Sequence, residues 1–178
     1  GVLTLSGVAT KAQYQNVLRG VTFGINTEAP SQTPRSVEWV IKDKGTLPSS
    51  TVTQTVSVIA VNDNPTLTSI NAVSYTEGVD VTLAPGVSVA DVDSTDLSEA
   101  TVTITAGTKQ ADDVLKSTVT EAAISASFDA GAGVLTLSGV ATKAQYQNVL
   151  RGVTFGINTE APSQTPRSVE WVIKDKGT

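Results

Sequence analysis

The chain has 178 residues, with 12 Lys and Arg against 17 Asp and Glu, and it contains neither Cys nor His. This composition excludes disulfides, thiolate metal sites, cysteine nucleophiles and the histidines that serve as general bases and zinc ligands. The net charge of −5 disfavours nucleic acid and anionic lipid as partners, and no apolar run approaches the roughly 20 residues that span a bilayer.

Alternating apolar and polar residues predict β-strands along most of the chain. Val37, Trp39 and Ile41, for example, share one face of an extended segment. Gly, Pro, Asn and Asp separate such segments and favour turns between them. The predicted strands are residues 2–6, 20–25, 36–42, 51–61, 67–75, 79–83, 86–90, 101–105, 113–119 and 123–128. Many short strands of this kind predict an all-β fold, an antiparallel β-sandwich.

One segment has helical spacing instead. Thr10 and Gln13 form a capping-box pattern, Tyr14 and Val17 follow three residues apart, and Gly20 stands where a helix would end. The sequence therefore predicts one short helix here and a second at 142–152, where the same residues recur.

The recurrence extends well beyond the helix, because residues 1–46 are repeated letter for letter as residues 133–178, an offset of 132. This period fits one ordinary domain and exceeds the roughly 20–50 residues of solenoid repeats. We expect a fragment of a longer tandem array, with a join near Val61–Pro65. Residues 1–62 would be the C-terminal part of one repeat, and residues 63–178 most of the next, without the final strand whose sequence stands at 51–61. We expect neighbouring copies, or other chains, to complete such units by strand addition.

Acidic residues form the one chemically suggestive group. Ca²⁺ binds about six to eight oxygen atoms, and carboxylates in loops at domain ends supply them. The candidate calcium ligands are Asn62, Asp63, Glu77, Asp91, Asp93, Asp96, Asp43 and Asp175. The alternative is that these are ordinary turn residues in solvated loops. The run from Asp91 to Asp96 is not an EF-hand, because that loop requires Gly at its sixth position.

Several motifs together resemble the cadherin-like tandem repeats of giant bacterial surface proteins and adhesins. The motifs are, in order, 60–65 (AVNDNP), 75–78 (YTEG), 89–94 (VADVDS), 100–105 (ATVTIT), 133–139 (GVLTLSG), 144–151 (AQYQNVLR) and 169–175 (VEWVIKD). The resemblance implies a sandwich of immunoglobulin-like topology, export to the cell surface, and calcium near domain junctions at Asp63, Glu77, Asp91 and Asp93.

One departure from the resemblance concerns the residues after Asp43 and Asp175. Lys44 and Lys176 stand where such repeats more often have Gly. A lysine ammonium there would occupy the space of a cation or weaken its site, so Asp43 and Asp175 are expected to be weaker ligands.

Two functions are consistent with these features. The first is a structural, filament-forming extender of an extracellular bacterial surface protein, with neighbouring copies of the repeat as partners. The alternative is a calcium-dependent adhesion module, lectin-like or homophilic, with surface polysaccharide as a possible ligand class. An enzyme is not expected, because no nucleophile motif and no catalytic base pattern is present. Neither nucleic-acid binding nor membrane insertion is expected.

Overall fold

The computed structural model describes residues 1–177 and shows an all-β protein with several antiparallel sheets and two short helices. The chain forms two compact units, unit 1 at Gly1–Val61 and unit 2 from Asn62 onward. Neither helix in the described residues is long and apolar enough to cross a membrane.

Unit 1 contains one helix and one two-stranded sheet. Helix α1 spans Lys11–Arg19, strand β1 spans Arg35–Trp39, and strand β2 spans Val52–Val56. The two strands pair antiparallel, with Trp39 opposite Val52.

Unit 2 contains nine strands and one helix in its described residues. They are β3 Thr66–Thr68, β4 Val81–Thr82, β5 Ser88–Ala90, β6 Asp96–Ile104, β7 Asp113–Ser117, β8 Ser125–Asp129, β9 Val134–Thr142, α2 Lys143–Arg151, β10 Val153–Ile157 and β11 Val169–Asp175. The largest sheet has the order β11-β6-β9-β8, a second has the order β4-β10-β7, and β3 pairs with β5. All pairs are antiparallel.

The apolar core of unit 2 draws on both larger sheets and on α2. Leu97 and Val102 of β6, Leu137 of β9, Leu150 of α2 and Val153 of β10 are fully buried. Alternate residues of β6 and β9 are buried, as the period-two pattern predicts for strands with one face on a core.

The predicted strands at 2–6 and 20–25 are wrong for unit 1, although the identical residues in unit 2 form β9 and β10. In unit 2, β9 lies between β6 and β8, and β10 lies between β4 and β7. Unit 1 has only β1 and β2, so its copy has no such partners. Leu3 is consequently 67% exposed, whereas the equivalent Leu135 is 2% exposed. Strand formation depends on pairing and burial more than on intrinsic preference.

Other strands form near the predicted positions with different bounds. The segments 51–61, 67–75 and 79–83 contain shorter strands than predicted, and β6 extends N-terminally beyond the predicted 101–105.

The two predicted helices are confirmed, and their local contacts are the same in both units. The Thr142 side chain accepts a hydrogen bond from the main-chain N–H of Gln145, and the Gln145 side chain accepts one from that of Thr142. Tyr146 donates to the main-chain oxygen of Gly139 over 2.6 Å, and Tyr14 donates to that of Gly7 over the same distance. The helix is therefore specified locally, through its cap and this tyrosine.

Tyr146 gives a test of this packing. Burial, with a smaller contribution from the charge of Glu99, raises the pKa of Tyr146 from 10.0 to about 12. Above pH 10 the unfolded chain loses this proton while the folded chain keeps it, so part of the stability present below pH 10 is lost as the pH approaches 12. We expect Tyr146→Phe to flatten this decline in the free energy of unfolding, measured by urea titration at a series of pH values.

The control is Tyr14→Phe, which changes the same sequence in unit 1. Equal pH dependence in the two variants would contradict the burial of the Tyr146 hydroxyl.

Candidate functional site

Five of the eight candidate ligands are joined by hydrogen bonds at the start of unit 2. The main-chain N–H of Asp63 donates to Oδ2 of Asp93 over 3.0 Å. The side-chain amide of Asn62 donates to Oδ2 of Asp175 over 2.6 Å. Asp91 and Asp93 lie in the loop between β5 and β6, and Asp175 ends β11. We call this group, with Ser94, the acidic cluster.

The loop that follows β5 is shaped by Asp91. Its Oδ1 accepts hydrogen bonds from the main-chain N–H groups of Asp93, over 3.1 Å, and Ser94, over 2.8 Å. Such side-chain to main-chain bonds are typical of turns that begin with Asp. Oδ1 of Asp91 thus stabilises the turn, as expected if the acidic residues are ordinary turn residues.

Three other side-chain oxygen atoms of this loop take no part in the turn. Oδ2 of Asp91, Oδ1 of Asp93 and Oγ of Ser94 are buried and have no hydrogen-bond partner among the described residues. Ser94 is only 7% exposed. Burial of a carboxylate oxygen without a donor or a cation is costly, so these three atoms are suited to accept a water molecule or to bind a cation.

No lysine or arginine supplies that partner in the described part of the chain. The ion pairs found there join Lys116 to Asp80, Arg167 to Asp113 and Lys174 to Glu99. Lys143 reaches the loop, but its ammonium donates to the main-chain oxygen of Asp91 over 2.7 Å. Lys176 is exposed and makes no ion pair among the described residues.

The residues of the acidic cluster fit calcium in donor type but do not form a complete cage. Within residues 1–177, no group of three or more acidic side chains is arranged to hold a metal ion as it stands. Calcium also accepts main-chain carbonyls, amide oxygens and water as ligands. Asp91, Asp93 and Ser94 would supply the buried oxygens, with Asp63 and Asn62 beside them.

The remaining candidates have other surroundings. Asp96 begins β6, and its main-chain oxygen accepts a bond from the Lys176 N–H. Glu77 is exposed in a turn closed by a bridge between Thr76 and Val79, and no hydrogen bond joins it to the cluster in the described structure. Asp43 lies in unit 1, where its Oδ1 accepts from the Leu47 N–H over 2.9 Å. The structure therefore does not bring Glu77 or Asp43 to this site.

Two residues of the site were not predicted from the sequence. Ser94 follows Asp93 directly, but its burial depends on the fold. Lys143 is 52 residues from Asp91 in the chain, and only the pairing of β6 with β9 brings it near.

Comparison of the chain with protein-family models, with curated proteins and with solved structures gave no match. The resemblance to cadherin-like repeats therefore remains an expectation based on motifs.

Asp93→Asn tests whether a cation completes the acidic cluster. We expect Ca²⁺ to raise the free energy of unfolding of unit 2, by about 2.7 kcal/mol at 100 times its Kd. Asp93→Asn should abolish most of this gain. With a chelator present the same variant should be neutral or stabilising, because it removes the charge of a carboxylate whose Oδ1 is buried and has no partner among the described residues. Thermal and urea unfolding, followed by Trp171 fluorescence in a Trp39→Phe background, would measure both effects.

Glu77→Gln is the matched control, since it removes an acidic charge outside the cluster. It should leave the calcium response intact. A response to calcium in Asp93→Asn equal to that of the parent chain would contradict a site at these residues.

Proposed function

We propose that the chain is part of a structural extender of a large extracellular bacterial surface protein or adhesin. In this proposal each 132-residue period folds as a β-sandwich of immunoglobulin-like topology, and successive periods build a filament. The observation that carries the proposal is the identity of residues 1–46 with residues 133–178. Identical segments one domain length apart are expected where copies serve length or repeated presentation.

Charge and composition support an extended, calcium-dependent array. One period, residues 1–132, contains seven Lys and Arg against 14 Asp and Glu. Successive periods would therefore repel one another unless cations are bound, and the same charge favours solubility. Divalent cations at the acidic loops would lower this repulsion.

The position of the acidic cluster in the chain supports a role for calcium in stiffness. Asn62 and Asp63 follow directly on Val61, the last residue of unit 1. An ion that engages Asp63 together with Asp93 would restrict the main chain where one repeat is joined to the next. Restricting a linker in this way lowers the number of arrangements open to the array.

The alternative, a calcium-dependent lectin-like or homophilic adhesion module, would favour an exposed aromatic side chain beside the acidic loops. The aromatic residue nearest in sequence to a candidate ligand, Tyr75, is partly buried and packs edge-on against Phe155, with ring centroids 5.4 Å apart. Its neighbour Glu77 is not joined to the acidic cluster. We therefore favour the extender and propose no catalytic role.

A chain of two complete 132-residue periods would test the extender. We expect small-angle scattering to show a larger maximum dimension with Ca²⁺ than with chelator, because the ion restricts the joins between repeats. Thermal stability should rise in the same titration. Asp63→Asn should reduce the change in dimension, whereas Glu77→Gln should not. No change in dimension and no change in stability with calcium would contradict the ion-stiffened extender.

A further inference from the structure

Among the residues that the structure describes, strand β11 is paired along one edge only. It lies at the end of the four-stranded sheet and pairs with β6. The main-chain oxygen of Ser168 accepts a hydrogen bond from the N–H of Thr105, at the C-terminal end of β6, over 2.9 Å. Because main-chain groups alternate in direction along a strand, those of Val169, Trp171 and Ile173 point away from β6. Such an edge is a template for another strand.

The identical sequence in unit 1 shows which strand fits this edge. Strand β1 has the sequence of residues 167–171, and it pairs with β2. Just beyond β1, the oxygen of Ile41 accepts from the Ser49 N–H over 2.7 Å. Ile41 is the equivalent of Ile173, whose main-chain groups point away from β6. Strand β2 therefore pairs with the edge of β1 that corresponds to the unpaired edge of β11.

We propose that Val52–Val56 of a second copy of the chain adds to β11 as an antiparallel fifth strand. The register of β1 with β2 places Val52 opposite Trp171 and Gln54 opposite Val169. The proposal deepens the extender function, and its biological role rests on that function. The strand contact itself is an independent property of these two segments.

A side-chain contact supports the same register. In unit 1 the indole Nε1 of Trp39 donates to Oε1 of Gln54 over 3.1 Å. In unit 2 the equivalent indole of Trp171 has no hydrogen-bond partner among the described residues. An incoming Gln54 supplies this partner in the proposed register.

Burial gives a driving force for the exchange. In unit 1, Val52 is 62% exposed and lines an open groove with Trp39, Ile41 and Leu18. The equivalents of Ile41 and Leu18 are buried in the core of unit 2. A strand that leaves an isolated two-stranded sheet, which is marginal in water, for a four-stranded sheet on a packed core gains stability.

A second copy of the chain is the partner that fits the edge of β11, because its β2 already pairs with the same sequence in unit 1. The connection between β1 and β2 within one chain competes with the exchange. A free peptide with the sequence of residues 47–61 is therefore the direct probe of the β11 edge.

The experiment uses the full chain carrying Trp39→Phe, so that Trp171 is the single tryptophan. We expect the 47–61 peptide to produce a saturable change in Trp171 fluorescence. Amide exchange at Val169, Trp171 and Ile173 should slow on binding, as measured by NMR. A peptide with Gln54→Ala should bind about fivefold more weakly, through loss of one hydrogen bond.

Two N-methylated peptides provide the matched control. The main-chain N–H of Gln54 points toward β11 in the proposed register, and that of Thr53 points away. N-methylation at Gln54 should abolish binding, whereas N-methylation at Thr53 should leave most of it.

Absence of a saturable change, or equal binding of the two methylated peptides, would overturn the proposal. Neither result would affect the calcium dependence of the two-period chain, which tests the extender separately. Binding of the peptide to a chain whose dimension does not respond to calcium would support the strand contact and contradict the ion-stiffened extender.

Discussion

The structure depends on the pairing of β9 with β6 and β8. This pairing places Leu135 opposite Val102 on one side and opposite Phe128 on the other, and it buries the apolar face of the sheet. The buried ion pair of Arg167 with Asp113, at 2.9 Å, also joins the 46-residue segment to the preceding residues. Arg167 and its equivalent in unit 1, Arg35, both donate to main-chain oxygens four and two residues before them, but among the described residues only Arg167 also has a carboxylate partner. The repeated 46-residue sequence therefore contributes to the buried core in unit 2, where several strands pair with it, and is largely exposed in unit 1, where β2 is its strand partner.

Both proposals concern the strand at the edge of this sheet. The end of β11 carries Asp175, which accepts a hydrogen bond from Asn62, and the N–H of the next residue, Asp63, donates to Asp93. The outer edge of β11, which has no strand partner within residues 1–177, presents main-chain groups in the direction that β2 uses in unit 1. A cation would restrict the connection between successive repeats, and an added strand would hold two copies together. A filament can depend on either interaction, and each can be tested without the other.

The sequence predicted the features that are encoded locally. The capping box of Thr142 and Gln145 forms in both copies because all of its atoms lie within one turn. The alternation at 2–6 and 20–25 recurs unchanged at 134–138 and 152–157, and unit 1 lacks these two strands because alternation does not specify a partner. Within the candidate site, hydrogen bonds join Asp63 to Asp93 and Asp93 to Asp91. No hydrogen bond joins Glu77 to them in the described structure, and sequence order carries no information on which loops meet. Calcium remains a prediction.

Thiol accessibility tests the central claim that tertiary partners, not the sequence alone, decide the state of the repeated segment. The chain has no Cys, so Val17→Cys and Val149→Cys each place one thiol in the same local sequence. Val17 is 50% exposed and Val149 is 2% exposed. We predict that the thiol at position 17 reacts with a disulfide reagent directly in the folded chain, and that the thiol at 149 reacts only through opening of unit 2, far more slowly. Equal rates under native conditions would contradict the account.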